Sequence, residues 1–416
     1  DFSREDLIPE EQMVLTVSKT GYAKTQPLSD YAAQRRGGRG KSATSMKTDD
    51  YIQHLIVTSN HATVLCFTNV GKVYRLKVYE VPQASRGAKG RPMVNLLPLD
   101  ANETITAILP VIDAPKKFKD RLADFQAFVK ANAAKLQENE IINSHFAELE
   151  AALAELEDGA DDLSDALRTQ LKQLGLELST TDLDDEIIAD FAQQAEAVRK
   201  NFYVFMATEY GTIKRVELEQ FSNVRSNGLR AIELNGDDTL IGVAITDGEQ
   251  QIMLFSNEGK AIRFAETDVR SMGRSAKGVR GMRVTIGAAA QLEDAETDVD
   301  SDDEDTSDSA LISRIVSLVV VPETGEVLCA CANGYGKRTP VGEFPTKKRG
   351  GKGVIAIKTS ERNGELVGAV SIDESKELML ISDGGTLVRT RASEVATTGR
   401  NAQGVRLIRL GNEEVL

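Results

Sequence analysis

Residues 251–278 read QIMLFSNEGKAIRFAETDVRSMGRSAKG, and this stretch contains the pattern that decides the fold. Two short apolar segments flank a turn that ends at Gly259, an arrangement typical of a β-hairpin. Fifteen residues after that glycine, Arg274 opens a short loop that carries a second cation, Lys277, and ends in Gly278. The stretch therefore predicts two paired strands followed by a basic loop.

The same succession of a turn glycine and a loop arginine occurs six times along the 416 residues. The pairs are Gly21/Arg36, Gly71/Arg86, Gly211/Arg225, Gly259/Arg274, Gly334/Arg349 and Gly385/Arg400. Repeats of about 50 residues rich in short strands are typical of propeller-like arrays, in which one unit cannot bury its hydrophobic face alone. We therefore expect an all-β fold made of six similar blades. A β-sandwich could hold as many strands, but it would leave the constant spacing unexplained.

Each unit is expected to supply four short strands, because apolar and polar residues alternate between turn signals. In the second unit these strands are 54–59, 63–68, 72–77 and one that starts at Met93, after the loop around Arg86. The corresponding segments of the fourth unit are 240–246, 251–256 and 260–265.

Two intervals in the repeat are too long. Arg86 and Arg225 are 139 residues apart, and Arg274 and Arg349 are 75 apart, against 49 to 51 elsewhere. Helix-forming residues fill one excess and a Ser-, Asp- and Glu-rich tract fills the other. The predicted organisation is blades one and two in 1–113, a helical insertion in 114–200, and the remaining blades in 201–416, with an acidic disordered insertion at 287–312.

The helical insertion shows apolar residues at amphipathic spacing, which predicts a small bundle of three or four helices. We expect helix breaks near Gly159 and Gly175. A self-contained packing unit is favoured over a partner-binding surface. The periodic apolar positions are Phe118, Leu122, Phe125, Val129, Phe146, Leu149, Leu153, Leu156, Leu163, Leu167, Leu171, Leu174, Ile187, Phe191 and Val198.

The formal net charge of −14 is unevenly distributed. Residues 113–200 hold 20 acidic and 10 basic side chains, and residues 286–312 hold 10 acidic and no basic ones. Without these two segments the remainder carries +6. A basic body with two acidic attachments is compatible with a polyanionic partner, although the total charge alone would argue against one.

The basic residues of this body recur in the loops, which read Arg36-Gly-Gly-Arg39-Gly, Arg86-Gly-Ala-Lys89-Gly, Arg274-Ser-Ala-Lys277-Gly and Arg349-Gly-Gly-Lys352-Gly. The copies at Arg225 and Arg400 lack the second cation. Two cations three residues apart with small residues between them let the backbone approach a phosphate while the side chains contact its oxygens. Any single loop could equally be a solvated turn. Six at one register favour binding to a polyanion without reading its sequence.

The acidic tract 293–308 has no aromatic residue and almost no aliphatic one. A solvated loop is the simple interpretation. The alternative is that the tract competes with a polyanion for the basic loops.

Other classes of function find little support. The cysteines Cys66, Cys329 and Cys331 lie in predicted strands and are expected to be small buried residues. Cys329 and Cys331 would share a strand face, but no further cysteine pair or nearby histidine completes a tetrahedral metal site. The three histidines lack metal-ligand spacing and no Walker-type phosphate loop is present. No run of 18 apolar residues and no leader sequence are visible.

The first loop is longer than the others, because Gln34 and Arg35 extend it to Gln-Arg-Arg-Gly-Gly-Arg-Gly over residues 34–40. This heptad matches the signature box of the DNA gyrase A subunit. The flanking segment 22–30 and later segments at 86–98, 333–339 and 361–368 resemble the C-terminal domain of that subunit. The A subunit of topoisomerase IV, a related alternative, characteristically has a degraded box.

The resemblance implies a six-bladed β-pinwheel that wraps double-stranded DNA around its rim with a defined hand. It also implies that the partners are the rest of the gyrase A subunit and the gyrase B subunit, in the bacterial cytoplasm. No cofactor of its own is expected. The catalytic tyrosine of the family belongs to a domain outside this sequence, so we expect no catalysis by the chain alone. A propeller that binds acidic proteins is the other candidate. The expected DNA-binding residues are Gln34, Arg35, Arg36, Gly37, Gly38, Arg39, Gly40, Lys41, Arg86, Lys89, Arg91, Arg225, Arg274, Lys277, Arg280, Lys347, Lys348, Arg349, Lys352 and Arg400.

Overall fold

The computed structural model describes residues 4–32, 50–111, 116–156, 160, 162–285 and 313–416. These residues form six antiparallel sheets, five with four strands and one with two. The strands are β1 (Gln12–Ser18), β2 (Tyr22–Pro27), β3 (Ile52–Ser59), β4 (Thr63–Thr68), β5 (Lys72–Lys77), β6 (Arg91–Pro92), β7 (Ile105–Val111), β8 (Tyr203–Thr208), β9 (Thr212–Glu217), β10 (Leu229–Arg230), β11 (Leu240–Thr246), β12 (Gln251–Ser256), β13 (Lys260–Ala265), β14 (Val279–Arg280), β15 (Ile315–Val321), β16 (Glu326–Cys331), β17 (Tyr335–Pro340), β18 (Val354–Ile355), β19 (Leu366–Ile372), β20 (Glu377–Ile381), β21 (Leu387–Arg391) and β22 (Val405–Arg406).

Each four-stranded sheet is built around a hairpin. In the second sheet the order is β10-β5-β4-β7, so the hairpin β4-β5 lies in the middle and β7 pairs with β4. The free side of β5 is covered by β10, a strand of two residues that comes from the next unit. The other sheets follow the same rule in the orders β3-β1-β2-β6, β11-β8-β9-β14, β15-β12-β13-β18 and β19-β16-β17-β22. Consecutive units are therefore joined by an exchanged strand, and the sixth sheet contains the hairpin β20-β21.

Two details of the expected strand pattern are wrong. The segments 54–59 and 240–246 were assigned to the units that follow them, but β3 pairs with β1 and β11 pairs with β8, in the preceding sheets. The strand expected from Met93 is instead Arg91–Pro92, and Met93–Asn95 forms a 3-10 turn. Alternation along a strand does not show which neighbour it pairs with, and two residues are too few to show alternation.

The hairpin turns are confirmed. All six turn glycines have left-handed φ angles between 83° and 90°, a region that glycine adopts without steric cost. The six are Gly21, Gly71, Gly211, Gly259, Gly334 and Gly385.

The hydrophobic core lies between consecutive sheets. In β4, Val64 and Cys66 pack with β1 of the first sheet, whereas Leu65 and Phe67 pack with β8 of the third sheet. Because side chains alternate between the two faces of a strand, every inner sheet has two apolar faces and needs a neighbour on each. The third strands β7, β11, β15 and β19 contact one another from sheet to sheet. The exchanged strands therefore lie on the opposite, outer edge.

The segment between the second and third sheets is helical, as expected, but its described residues form five helices, one of only five residues, where three or four were expected. Residues Asn139, Ser164 and Asp185 cap three of the helices through side-chain oxygens that accept backbone N–H groups. The break expected near Gly175 is confirmed, since the helix that contains this glycine ends three residues later, at Leu178. The helices are α1 (Ser29–Ala32) within the first unit, followed by α2 (Phe118–Ala131), α3 (Ala133–Gln137), α4 (Glu140–Glu155), α5 (Asp165–Leu178) and α6 (Glu186–Arg199) in the insertion. Gly159 lies outside the described residues.

The insertion has its own hydrophobic core, which includes Phe125 and Phe191 with ring centroids 5.6 Å apart. It is fastened to the turn between β11 and β12 by Arg199, whose guanidinium donates to Glu196 and, at 2.6 Å, to both carboxylate oxygens of Glu249. Across the part of the chain that the structure describes, no helix has the length and apolar character needed to cross a membrane.

Candidate nucleic-acid interface

The basic loops lie along the outer edge of the sheets. After the second strand of a hairpin, the chain crosses to the second strand of the preceding sheet, where the backbone N–H of Met272 donates to the carbonyl of Arg215 over 2.9 Å. The equivalent bonds run from Ala84 to Thr25, from Lys347 to Arg263 and from Thr398 to Arg338. Four loops thus occupy the same place on the outer edges of the first, third, fourth and fifth sheets.

A glycine ends each of these loops and brings the backbone against the sheet. Gly278 has a φ angle of 98°, and a Cβ atom there would lie 2.4 Å from the carbonyl oxygen of Ile213. Gly353 is equivalent, since its Cβ would lie 2.4 Å from the carbonyl oxygen of Ala261. Only glycine fits this contact, which explains the last glycine of the repeated loop sequence.

The basic loops follow one outer edge, which we call the rim belt: the loops at Arg86, Arg225, Arg274, Arg349 and Arg400 with the strands that follow them. The N–H of Gly350 donates to the carbonyl of Gly281 at 2.8 Å. Similar bonds join Glu233 to Ala276 and Lys358 to Ala402. The later loops are therefore fixed relative to one another by backbone contacts.

The first arginine of most loops is half-buried and braces the rim belt. In Arg349, Nη1 donates to the carbonyl of Arg280 at 3.1 Å and Nε donates to that of Asp268 at 3.3 Å. Arg400 reaches the carbonyl of Ile355 at 3.2 Å, and Arg86 reaches that of Asp30 at 3.2 Å. These guanidinium groups add positive charge to the edge, but they also use donors to hold one loop to the preceding one. Arg274 and Arg280 are likewise half-buried.

Most of the other expected cations are exposed to solvent. Lys89 extends over the ring of Tyr22 with 5.1 Å between its Nζ and the ring centroid. The exposed members of the expected set are Lys89, Arg91, Arg225, Lys277, Lys347, Lys348 and Lys352. They lie on successive loops of one edge, so the structure brings together residues from four distant parts of the sequence.

The heptad Gln34 to Gly40 and the following Lys41 lie outside the described residues. The described chain leads into that segment through α1 and resumes at Asp50. The carboxylate of Asp50 accepts hydrogen bonds from the backbone N–H and the hydroxyl of Thr20, at 3.1 and 2.5 Å. The segment that contains the heptad therefore begins and ends beside the first sheet.

Two exposed arginines of the rim belt were missed in the sequence. Arg230 and Arg406 stand in β10 and β22, at the position equivalent to Arg280 in β14. The signal that identifies them is an arginine two residues after the loop glycine. Arg406 donates to the hydroxyl of Tyr335 at 2.9 Å, and hydrogen bonds from Arg362 and Arg406 lower the pKa of that phenol.

Three buried lysines also escaped the sequence interpretation. Lys24, Lys214 and Lys337 lie beneath the loops at Arg86, Arg274 and Arg400 and donate to their backbone carbonyls. Burial lowers the pKa of all three, in the case of Lys214 and Lys337 to about 8. A lysine in a strand of alternating residues resembles a solvated one, so the sequence carried no sign of their burial.

The two ends of the acidic segment meet on the rim belt. The N–H of Ser313 donates to the carbonyl of Thr285 at 2.8 Å. Beside this junction is a cavity of about 70 Å³, whose charged lining residues are Lys260, Arg283, Lys352 and one carboxylate, Glu258. Residues 286–312 therefore leave and rejoin the described chain beside three basic side chains.

The cysteines are structural. Burial raises the pKa of Cys66, Cys329 and Cys331 to about 12, and Cys329 and Cys331 face the core between the fourth and fifth sheets. Among the described residues, no group of three or more His, Cys, Asp or Glu side chains is placed to hold a metal ion.

Six repeated sheets joined by exchanged strands, with basic loops on the outer edge, define a β-propeller of the strand-exchanged type. The chain belongs to the family of DNA gyrase C-terminal domains. The family model, described as DNA gyrase C-terminal domain, beta-propeller, matches residues 12–59, 62–112, 203–247, 250–292, 325–373 and 376–416. The helical segment between the second and third sheets falls in the gap between two of these matches.

Curated relatives agree with the family model. The DNA gyrase A subunit of Pseudomonas aeruginosa is 46% identical over 418 residues, which cover all of this chain and 38% of that protein. Those of Haemophilus influenzae and Escherichia coli K12 are 42% and 40% identical over all of this chain and cover 38% and 35% of the respective proteins. The chain thus spans little more than a third of the length of these relatives.

Solved structures show the same fold. A DNA gyrase A C-terminal domain superposes with a TM-score of 0.61 and 21% identity, over 97% of both chains. The C-terminal domain of a DNA topoisomerase IV gives a TM-score of 0.59 with 20% identity, over 98% of this chain and 92% of that one.

Proposed function

We propose that this chain binds double-stranded DNA without reading its sequence and bends it around the rim belt. The wrapped DNA then gives a DNA gyrase its ability to introduce negative supercoils. The observation that carries the proposal is the repetition of exposed cations at equivalent positions on loops of one outer edge, the later of which are joined by backbone bonds.

The chemistry of the rim belt suits the phosphate backbone of DNA rather than its base edges. Exposed lysines such as Lys277 and Lys352 are flexible point charges that suit phosphate oxygens. Phosphate contacts position a duplex but carry no direct sequence information. Binding through these loops is therefore expected to be independent of sequence and sensitive to salt.

Several loops are required because bending DNA is costly. With a persistence length of about 150 bp, bending roughly 40 bp through half a circle costs on the order of 10 kcal/mol in the smooth elastic limit. If six loops each neutralise one or two phosphates, the log–log dependence of affinity on salt has a slope of about −5 to −11. Counterion release of that size offsets the bending energy at low salt, which one loop could not do.

In the complete enzyme, the heptad at 34–40 anchors one end of the wrapped duplex and the other loops guide it. The partners are the rest of the gyrase A subunit plus the gyrase B subunit, which supply strand cleavage and ATP hydrolysis. The chain itself bends and wraps the DNA and carries out no catalytic step.

Fluorescence energy transfer between the ends of a duplex of roughly 40 bp tests the proposal directly. The native chain is expected to shorten the end-to-end distance. A variant with alanines at 34–40 is expected to bind the duplex but to bend it poorly. Replacement of the exposed Lys172 of α5 by glutamine removes one charge away from the rim belt and serves as the control. Binding without bending by the native chain contradicts the proposal and favours a propeller that binds acidic proteins.

A further inference from the structure

Three hairpins place a lysine at the third residue after the turn glycine, where it points under the rim belt. Lys214 and Lys337 have no exposed surface, and Lys24 is 3% exposed. The Nζ atom of Lys337 donates to the carbonyls of Gly399 and Arg400, both at 2.6 Å. Lys214 donates to the carbonyls of Ala231 and Arg274. Each ammonium group therefore lies beneath a loop and donates a hydrogen bond directly to the backbone of that loop.

The loop does not need a lysine beneath it to keep its course. Ile262 occupies the equivalent position in the fourth sheet, under the loop at Arg349. That loop nevertheless makes the same backbone bond to the preceding sheet, from Lys347 to Arg263 at 2.9 Å, as Met272 makes to Arg215. Lys214 and Lys337 are therefore not needed to set the path of the loop backbone. What they add is an ammonium charge that can be gained or lost.

The surroundings of these lysines bring their pKa close to neutral pH. Carbonyl oxygens are the hydrogen-bond partners, and desolvation is the main cause that lowers the pKa of both lysines to about 8. Around Lys214, Arg274 lowers the pKa further and Glu233 raises it. Around Lys337, Arg400 lowers the pKa, whereas Glu343 and the thiols Cys329 and Cys331 raise it.

We propose that Lys214 and Lys337 are proton-binding sites linked to DNA binding, so that DNA drawn onto the loops at Arg274 and Arg400 is held more tightly when both lysines are protonated. This inference rests on the proposed function, because it requires a polyanion on those loops. Lys24 lies under the loop at Arg86 in the same way, with three carbonyl contacts at 3.0 to 3.3 Å.

The sign of the linkage follows from charge. Phosphates above the loop favour the ammonium form, so the pKa of each lysine is higher in the complex than in the free chain. Binding therefore takes up protons, and affinity falls as pH rises through the free and bound pKa values. For a rise of about one pKa unit from about 8, affinity falls about fivefold per lysine between pH 7 and pH 9, and uptake near pH 8 is about 0.4 proton per lysine.

Isothermal titration of the native chain with a duplex of roughly 40 bp, in buffers of different ionisation enthalpy at pH 8, measures this uptake without any mutation. We expect net proton uptake by the native chain. In the double variant Lys214→Met/Lys337→Met, the uptake and the pH dependence of affinity are expected to fall to the remainder left by Lys24. In Lys337→Arg the guanidinium stays charged, so affinity at pH 7 is retained while the pH dependence weakens. Lys172→Met, on α5, is the matched control and is expected to behave like the native chain.

The possible failures are distinguishable. Binding and bending of DNA by the native chain without proton uptake overturns the linkage and leaves the proposed function intact. Uptake that persists unchanged in a folded double variant, as judged by circular dichroism, assigns the protons to other groups and also overturns it. Absence of DNA binding at low salt overturns the proposed function, and the linkage with it.

Discussion

The cations of a rim loop differ in what surrounds them. Lys352 is exposed at the tip of its loop, whereas Arg349, three residues earlier, is half-buried and donates to carbonyls of the preceding unit. Exposed cations can approach phosphates at little cost to the fold. Half-buried ones also connect one loop to the preceding unit, so we expect substitutions in the two groups to have different effects.

The exposed lysines are expected to affect DNA binding alone. Replacing Lys89, Lys277 and Lys352 together by glutamine removes about three phosphate contacts, so the log–log salt slope should become shallower by about 3. The melting temperature should stay unchanged, because surface substitutions of this kind have small effects on stability. Fluorescence titration at several salt concentrations measures the slope. An unchanged slope would show that these side chains do not meet phosphates.

The bracing arginine is expected to affect stability as well. Arg349→Met leaves the carbonyls of Asp268 and Arg280 without this donor, which should lower the free energy of unfolding by about 1 to 2 kcal/mol. Arg225→Met removes an exposed charge from an equivalent loop and should leave the unfolding free energy unchanged. Thermal denaturation of both variants provides the comparison. Equal melting temperatures would argue against a bracing role.

Sequence could locate the loops but not divide their residues into these groups. The spacing from turn glycine to loop arginine is visible as a repeat. The partners of Arg349 and Arg400 are backbone carbonyls of another unit, and such acceptors leave no mark in a side-chain pattern. The same holds for the buried lysines. Lys214 donates to the carbonyl of Arg274, 60 residues away, and Lys337 donates to that of Gly399, 62 residues away.

At the scale of elements, the long strands were predictable and the exchanged ones were not. The segments 251–256 and 260–265 coincide with β12 and β13, because a short, mostly apolar run bounded by turn signals is typical of a buried strand. The strand β14 has two residues, and its pairing with β9 depends on the loop that carries it across. The helices were equally visible through their apolar periodicity, and the helix end expected near Gly175 falls at Leu178.

The acidic segment gives a prediction at this scale. Ten carboxylates between residues 286 and 312 are tethered at a junction beside Lys260, Arg283 and Lys352. Deleting residues 291–310 should raise DNA affinity, because it removes a negative charge that repels phosphates near the rim belt. The gain should be largest at low salt, where the Debye length approaches 30 Å at about 0.01 M.

A variant with an uncharged Gly/Ser segment of the same length is the control for chain length, and it should show the same gain. Affinity and energy transfer against salt are the measurements. If neither deletion nor neutralisation changes them at low salt, the acidic segment is a solvated loop with no effect on DNA.

At the scale of the whole molecule, the repeat turns local contacts into a curved path. Each inner sheet buries both faces against neighbours, and consecutive third strands contact one another while the basic loops stay on the opposite edge. The third strands therefore lie on the inside of the array, and the outer edges follow one another around them. A duplex that follows the rim belt must bend continuously.

The proposed function requires one hand for the path of the wrapped DNA. Strand passage inverts the sign of a DNA crossing, so an enzyme that produces negative supercoils must first present a positive one. We therefore expect the chain to constrain positive writhe. Relaxing a closed circular DNA with a nicking-closing enzyme in the presence of the chain, and then removing protein, should leave positively supercoiled topoisomers, which two-dimensional gel electrophoresis resolves. The Lys89, Lys277 and Lys352 variant should shift the distribution less, and the Lys172→Gln control should match the native chain. A negative shift would contradict the proposed direction of wrapping, and no shift at saturating protein would show that DNA is bound without being wrapped.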